Sequence, residues 1–254
     1  MKRKLTGGVI AITGASSGIG AATAVACARR GMRVGLFARR ADRLEGVAAA
    51  VREAGGEAEV VAGDVRIPAD QAAFLTALAR RWSRLDAVIA NAGFGVAARV
   101  ADTPPAEARE IFDVNVLGSI WTIQAAWPVL EAQRRGHLIL ISSAAAFHGQ
   151  PGGALYSATK AAQMNLAEGV RIEARAIGVD VSVVYPIMTT TGFSDAVHDY
   201  TGGRKRQAGR KVGGPRQTAD DVAAAIVRCL ERPRFGVHPY RASRVLPWIE
   251  AASP

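Results

Sequence analysis

Short runs of β-branched and aliphatic residues alternate with longer Ala-rich segments of helical period along most of this chain. That alternation is what a parallel sheet covered by helices leaves in a sequence. The strands it predicts are Val9–Thr13, Arg33–Phe37, Ala58–Ala62, Ala87–Ala90, Leu138–Ser142, Asp180–Val184 and Phe235–His238. Helices are expected near Gly18–Arg30, Arg40–Ala54, Pro68–Trp82, Pro105–Gln133, Tyr156–Ala176 and Ala219–Glu231. Gly31 follows the first helix where a left-handed residue is wanted, and Pro68 opens the third, where its missing N–H costs nothing. The fold class expected is α/β, a doubly wound parallel sheet of about seven strands flanked by helices. No internal repeat or linker divides the chain, so residues 1–254 are expected to form one domain.

Composition narrows the setting. Hydrophobic residues make up 49% of the 254, enough for a full core and too many for a disordered chain. Met1 to Lys4 read as a basic tail, and Gly7 and Gly8 interrupt the apolar stretch that follows, so neither an export signal nor a membrane span is expected. A cytoplasmic location follows as an expectation. Cys27 and Cys229 fall in helix-like stretches without a ligand pattern and read as buried thiols, with no metal. The net charge of +10 is concentrated. Arg204, Lys205, Arg206, Arg210, Lys211 and Arg216 form a Gly-rich segment with no acidic residue among them. It is either a solvated loop or a contact for an anionic ligand.

Ligands of a doubly wound sheet bind past the carboxyl ends of its strands. The first such turn reads Thr13-Gly14-Ala15-Ser16-Ser17-Gly18-Ile19-Gly20. Its glycines permit a sharp turn and a close approach to a pyrophosphate, while the helix behind presents N–H donors to anionic oxygens. Nucleotide binding is therefore expected through Gly14, Ser16, Ser17, Gly18, Ile19 and Gly20. Further along, Tyr156 and Lys160 stand four residues apart, on one face of a helical turn. A neighbouring ammonium favours a phenolate and lowers its pKa, so the pair suggests acid/base chemistry.

The Gly-rich turn, Asn91-Ala92-Gly93 after the fourth strand, and Tyr156-x-x-x-Lys160 together resemble the short-chain dehydrogenase/reductase family up to about residue 191. The resemblance implies a single Rossmann-like domain and a nicotinamide-dependent oxidoreductase. It implies a catalytic group of Asn115, Ser143, Tyr156 and Lys160. Tyr156 would exchange a proton with the substrate oxygen, and Lys160 would lower its pKa and bind the nicotinamide ribose. Ser143 would hold the substrate oxygen, with Ser142 the competing candidate; strand alternation sends their hydroxyls to opposite faces. Asn115 would bend its helix and support a water-mediated path to Lys160.

A carboxylate after the second strand would accept the ribose 2′-OH of NAD and repel a 2′-phosphate. This chain reads Phe37-Ala38-Arg39-Arg40, with no acid before Asp42. NADP(H) is therefore expected, held by Arg39, with Arg40 either assisting or merely solvated. The resemblance adds Asp64 and Val65 as an adenine-contacting pair, Asp64 being equally suited to a turn. It adds Asn91, Ala92 and Gly93 beside the cofactor, Asn91 also tying the sheet, and Pro186, Thr189 and Thr191 near the carboxamide and phosphates. Ile187 replaces the family's usual Gly and cannot adopt positive φ cheaply.

Phe94, Ala145, Phe147, Tyr185, Met188 and Phe193 are expected around the substrate, a small-molecule carbonyl or alcohol of apolar character. His148 and Gln150 lie near Ser143 in sequence and read as loop residues or substrate contacts. The segment about 187–217 is expected to act as a variable lid. The resemblance also implies a homo-oligomer, dimer or tetramer, formed through the helices around Pro105–Gln133 and Tyr156–Ala176, with no nucleic acid and no membrane as partner. The competing reading is a catalytically silent nucleotide-sensing or nucleic-acid-binding protein on the same fold.

Overall fold

A computed structural model describes residues 2–190, 197–200 and 216–245. The elements run β1 (Val9–Thr13), α1 (Gly18–Ala28), β2 (Arg33–Ala38), α2 (Ala41–Glu53), β3 (Glu57–Ala62), α3 (Pro68–Trp82), β4 (Ala87–Ala90), β5 (Gly95–Ala97) and α4 (Pro105–Phe112). They continue with α5 (Gly118–Gln133), β6 (Gly136–Ile141), α6 (Ala154–Arg175), β7 (Val179–Val184), β8 (Thr189–Thr190), β9 (Val197–Asp199), β10 (Gln217–Thr218), α7 (Ala219–Glu231) and β11 (Gly236–Val237). Seven strands form one parallel sheet in the order β11-β7-β6-β4-β1-β2-β3. The chain winds outward from β1 in one direction and from β4 in the other. Their carboxyl ends therefore flank the crevice where such a sheet takes its ligand.

Period-two alternation divides the core between the two faces. Ile10, Ile12, Val34 and Leu36 pack with Ala24 and Cys27 of α1, Leu44 and Ala48 of α2, and Ile226 of α7. Val9 and Ala11 point the other way, onto Phe74 and Leu78 of α3, Leu130 of α5 and Val170 of α6. Both cysteines are buried, as expected. Gly31 has φ +74, the left-handed residue wanted after α1, and Pro68 begins α3. A reciprocal cap starts α7: Asp221 N donates to Thr218 Oγ1 at 3.1 Å, and Thr218 N donates to Asp221 Oδ2 at 2.8 Å. Such a cap is worth about 1 kcal/mol.

The expected helix Pro105–Gln133 is not continuous. A π turn at Asp113–Leu117 separates α4 from α5, with Gly118 N reaching back to Asp113 O. Four short strands lay outside the sequence reading. β5 pairs in parallel with β9, and β8 with β10, so Val197–Asp199 and Gln217–Thr218 are fastened beside the carboxyl edge of the sheet. Among the described residues, no helix is long and apolar enough to cross a membrane.

Candidate active site

The β1–α1 turn has the shape its glycines imply. Gly14 and Gly18 take φ +64 and +56. A Cβ on Gly14 would lie 2.7 Å from Ala92 Cα, and one on Gly20 would lie 2.5 Å from Gly14 O and 2.7 Å from Asn91 Nδ2. Both approaches exclude a side chain. Asn91 ties the sheet as expected: its Nδ2 donates to Thr13 O at 2.9 Å and Gly14 O at 3.1 Å, while Thr13 Oγ1 accepts from the amides of Asn91 and Ala92. Ser17 caps α1 without a side-chain cap bond, and the first turn carries no acid. The donors and partial positive charge at that end are left uncompensated, which suits an anionic ligand. Ser16 is half-buried beside Ser17, and Ile19 packs on the core.

Ala38 ends β2, and Arg39 and Arg40 follow it, both exposed. Arg40 Nη2 donates to Ser16 Oγ at 3.2 Å, so Arg40 reaches the Gly-rich turn rather than standing free in solvent. Asp64 occupies a turn, accepting from Arg66 N at 3.0 Å and from Arg66 Nη2 at 2.6 Å. Burial raises its carboxyl, but the Arg66 bonds and charge outweigh that and hold it below the usual range. The Val65 side chain is core.

The π turn gives Asn115 its place. Fully buried, its Oδ1 accepts from Phe94 N at 3.0 Å, and its Nδ2 donates to Phe94 O and to Thr159 Oγ1, each at 3.0 Å. A Cβ on Gly93 would sit 3.0 Å from Asn115 Oδ1, so this glycine makes room for Asn115. The two serines after β6 part company: Ser142 Oγ donates to Lys160 O at 2.7 Å, whereas Ser143 Oγ donates to Pro186 O at 3.4 Å and stands near enough to Tyr156 to pull the phenol's pKa down against burial. Of the two, Ser143 is the one beside Tyr156.

Lys160 lies 5.6 Å from the Tyr156 ring centroid, and its Nζ donates to Ile141 O at 2.9 Å and Gln163 Oε1 at 2.8 Å. The expectation that Lys160 lowers the phenol needs correction. Burial raises Tyr156 to about 12, although the Ser143 hydroxyl pulls the other way. Burial likewise lowers Lys160 to about 7, weakening the charge that would have tuned its neighbour. At neutral pH Tyr156 therefore keeps its proton.

The aromatic candidates divide. Phe94 packs near Tyr156 in a small cluster with Val96, Ala98 and Ile111, its ring 4.8 Å from His198. Phe147 and Tyr185 lie 4.8 Å apart against His238, and Tyr185 is core. Ala145 is half-buried, and its N–H donates to Ser143 Oγ at 3.1 Å. Met188 is exposed. His148 and Gln150 hydrogen-bond each other. The Pro186 carbonyl accepts from Ala144 N at 2.9 Å, and Ile187 does not take positive φ, so the backbone avoids the conformation a Gly would permit. Thr189 Oγ1 donates to Ile187 O and accepts from Gln217 Nε2 at 3.0 Å. Thr191, Phe193 and the basic stretch Arg204–Lys211 lie outside the described residues. Gln163, Ser119 and Thr159 were missed, although Gln163 follows Lys160 by three residues on the same helical face.

A Gly-rich βα cradle thus stands beside a Ser, Tyr and Lys group at the switch point of a doubly wound sheet. The model for the short chain dehydrogenase family matches residues 8–201. The protein belongs to the short-chain dehydrogenase/reductase family. An uncharacterized oxidoreductase of Listeria monocytogenes is 33% identical over 227 residues, covering 89% of this chain and 91% of its own. An alcohol dehydrogenase from Thermococcus sibiricus, solved with 5-hydroxy-NADP, is 29% identical with a TM-score of 0.78, covering 91% and 95% of the two chains. A short-chain dehydrogenase/reductase from Burkholderia phymatum, solved with NAD, shares the fold at a TM-score of 0.86 and 24% identity, covering 99% and 97%.

Proposed function

We propose that the protein transfers hydride between NADP(H) and a carbonyl or secondary alcohol, with Tyr156 as the general acid/base. The observation that carries this reading is the placing of Ser143 beside Tyr156, where its hydroxyl draws the phenol's pKa down against the effect of burial and one substrate oxygen can meet both hydroxyls. The nicotinamide, when bound, supplies hydride to the carbonyl carbon or takes it from the alcohol. Tyr156 Oη gives its proton to the carbonyl oxygen and recovers one in the reverse direction. Ser143 Oγ holds that oxygen in place, and Asn115 fixes the Phe94 backbone that walls the site. Lys160 stands ready to bind the ribose and to share the proton exchange.

The choice of NADP(H) is supported by Arg39, by Arg40 drawn to Ser16, and by the lack of any acid between the end of β2 and Asp42. The Thermococcus relative solved with an NADP derivative is consistent with it. Assembly into dimers or tetramers belongs to the same proposal. Phe112, Leu117 and Ile172 are exposed on the helical surfaces expected to meet. The test is purified protein mixed with NADPH or NADH and a panel of apolar ketones. Faster consumption of NADPH with at least one ketone is the expected result. No consumption of either cofactor with any ketone, and none with secondary alcohols in reverse, would sink the reading.

A further inference from the structure

Gln163 is fully buried on α6, and both ends of its amide are used. Its Nε2 donates to Ser119 Oγ at 2.7 Å, and Ser119 Oγ donates to the Asn115 carbonyl at 2.7 Å. A hydroxyl has one proton, and that of Ser119 is committed to Asn115, so what reaches it from Gln163 must be an N–H. The amide carbonyl therefore faces Lys160, whose ammonium can only donate and does so at 2.8 Å. The polarity of the row is fixed from the π turn to the Lys160 nitrogen.

We propose that Gln163 is a positioning residue for Lys160, holding its Nζ on the inner side of the site and favouring its charged form, with Ser119 and the Asn115 carbonyl locking the amide. A buried ammonium has lost its water, and each carbonyl aimed at it recovers part of that solvation. Only Ile141 O and Gln163 Oε1 do so among the described residues. Among the described residues, the other elements around the nitrogen contribute no opposing charge. Tyr156 is the titratable neighbour on its own helix, while Ile141 on β6, Gly93 after β4 and Ser119 on α5 are neutral. With Lys160 held at about 7, the charged fraction at neutral pH responds strongly to the loss of one acceptor. The catalytic meaning of this arrangement rests on the reductase reading, but its effect on Lys160 does not.

The experiment follows the ε-carbon of Lys160 by NMR in protein carrying ¹³C-lysine. The chain has five lysines, and Lys160→Met assigns the signal. Gln163→Met keeps the length of the side chain and removes the carbonyl; it should move the Lys160 midpoint down by about one pH unit. Gln163→Glu offers a carboxylate instead and should move it up by a similar amount. The high-pH limb of reductive kcat should shift in the same two directions while KM for the carbonyl changes less. Midpoints that stay put, or that move the same way in both variants, overturn the proposal. Should Gln163→Met not fold, Ser119→Ala unlocks the amide and should give a smaller downward move, and no move in it or in Gln163→Glu is equally fatal. The titration needs no turnover, so a protein inactive on every carbonyl would defeat the reductase reading and leave this result standing.

Discussion

Ser142 and Ser143 are neighbours with different commitments: the first donates its hydroxyl to the Lys160 carbonyl at 2.7 Å, and the second, donating to Pro186 O at 3.4 Å, lies beside the Tyr156 phenol and pulls its pKa down against burial. Removing each hydroxyl should therefore read out differently. Ser143→Ala is expected to lower kcat by about 10²-fold, as loss of one oxygen-holding donor does, with little change in stability. Ser142→Ala should cost about 1–2 kcal/mol of unfolding free energy, because a buried partnership is broken. Steady-state kinetics and urea titration of both variants check the pair, and equal losses of activity at equal stability would contradict it.

Tyr156→Phe keeps the ring and deletes the proton. Turnover should fall by about 10²- to 10⁴-fold with NADPH affinity unchanged. Fluorescence titration of NADPH beside the kinetic assay separates the two effects, and an undiminished rate would remove Tyr156 as the acid.

Arg39→Asp replaces the cation expected to meet the 2′-phosphate with a carboxylate that would repel it. Affinity for NADPH should drop relative to NADH by about 10- to 100-fold, the worth of a charge-assisted contact to phosphate. Should both affinities fall together, the 2′-phosphate contact lies elsewhere.

Two glycines make opposite predictions for one substitution. In Gly20→Ala the new Cβ would lie 2.5 Å from Gly14 O and 2.7 Å from Asn91 Nδ2, so stability should fall by about 1–3 kcal/mol and nucleotide affinity with it. Gly46 lies inside α2 with nothing within 4 Å of its Cβ position, and Gly46→Ala should stabilise by about 0.5–1 kcal/mol. Thermal melts of the two variants test both signs at once.

His137 sets an acid limit. Buried between strands with its Nε2 against Ser182 Oγ at 2.7 Å, it is pushed by burial, and secondarily by the Arg3 charge, from 6.5 to about 3. The unfolded chain then binds a proton below pH 6.5 that the folded chain refuses until about 3, so stability falls as pH drops through that window. The loss should amount to a few kcal/mol, on the order of what such a displacement implies. Unfolding free energies measured between these limits should slope less in His137→Leu; an identical slope would show that other groups dominate.

Where the sequence was legible, one element carried its own signal. Val9–Thr13, Ala87–Ala90, Pro68–Trp82 and Ala219–Glu231 have the bounds read from hydrophobic period and terminal residues alone. The short strands β5, β8, β9 and β10 run two or three residues, too few to establish an alternation, and are held by partners distant in the chain. The break at Asp113–Leu117 was invisible as a boundary because nothing from Pro105 to Gln133 forbids a helix until Pro128; the resemblance supplied a bend at Asn115, and the contacts with Phe94 show what holds it. Strand alternation separated the hydroxyls of Ser142 and Ser143 onto opposite faces, and only the spacing of the resembled family favoured Ser143. The links of Gln163 to Ser119 and of Arg40 to Ser16 needed the fold, since each joins residues on different elements.

The π turn also makes the length of the chain at this point a functional quantity. An α-helix turns about 100° per residue, so deleting one residue between Asp113 and Leu117 would heal the helix while rotating α5 by that angle relative to α4. The Gly118 carbonyl would leave Gln71, which donates to it at 2.9 Å, and Ser119 would leave Gln163. Side-chain substitutions along α5 are thus a milder perturbation than a gain or loss of a single residue just before it, and in this segment the reading frame of the helix is itself under constraint.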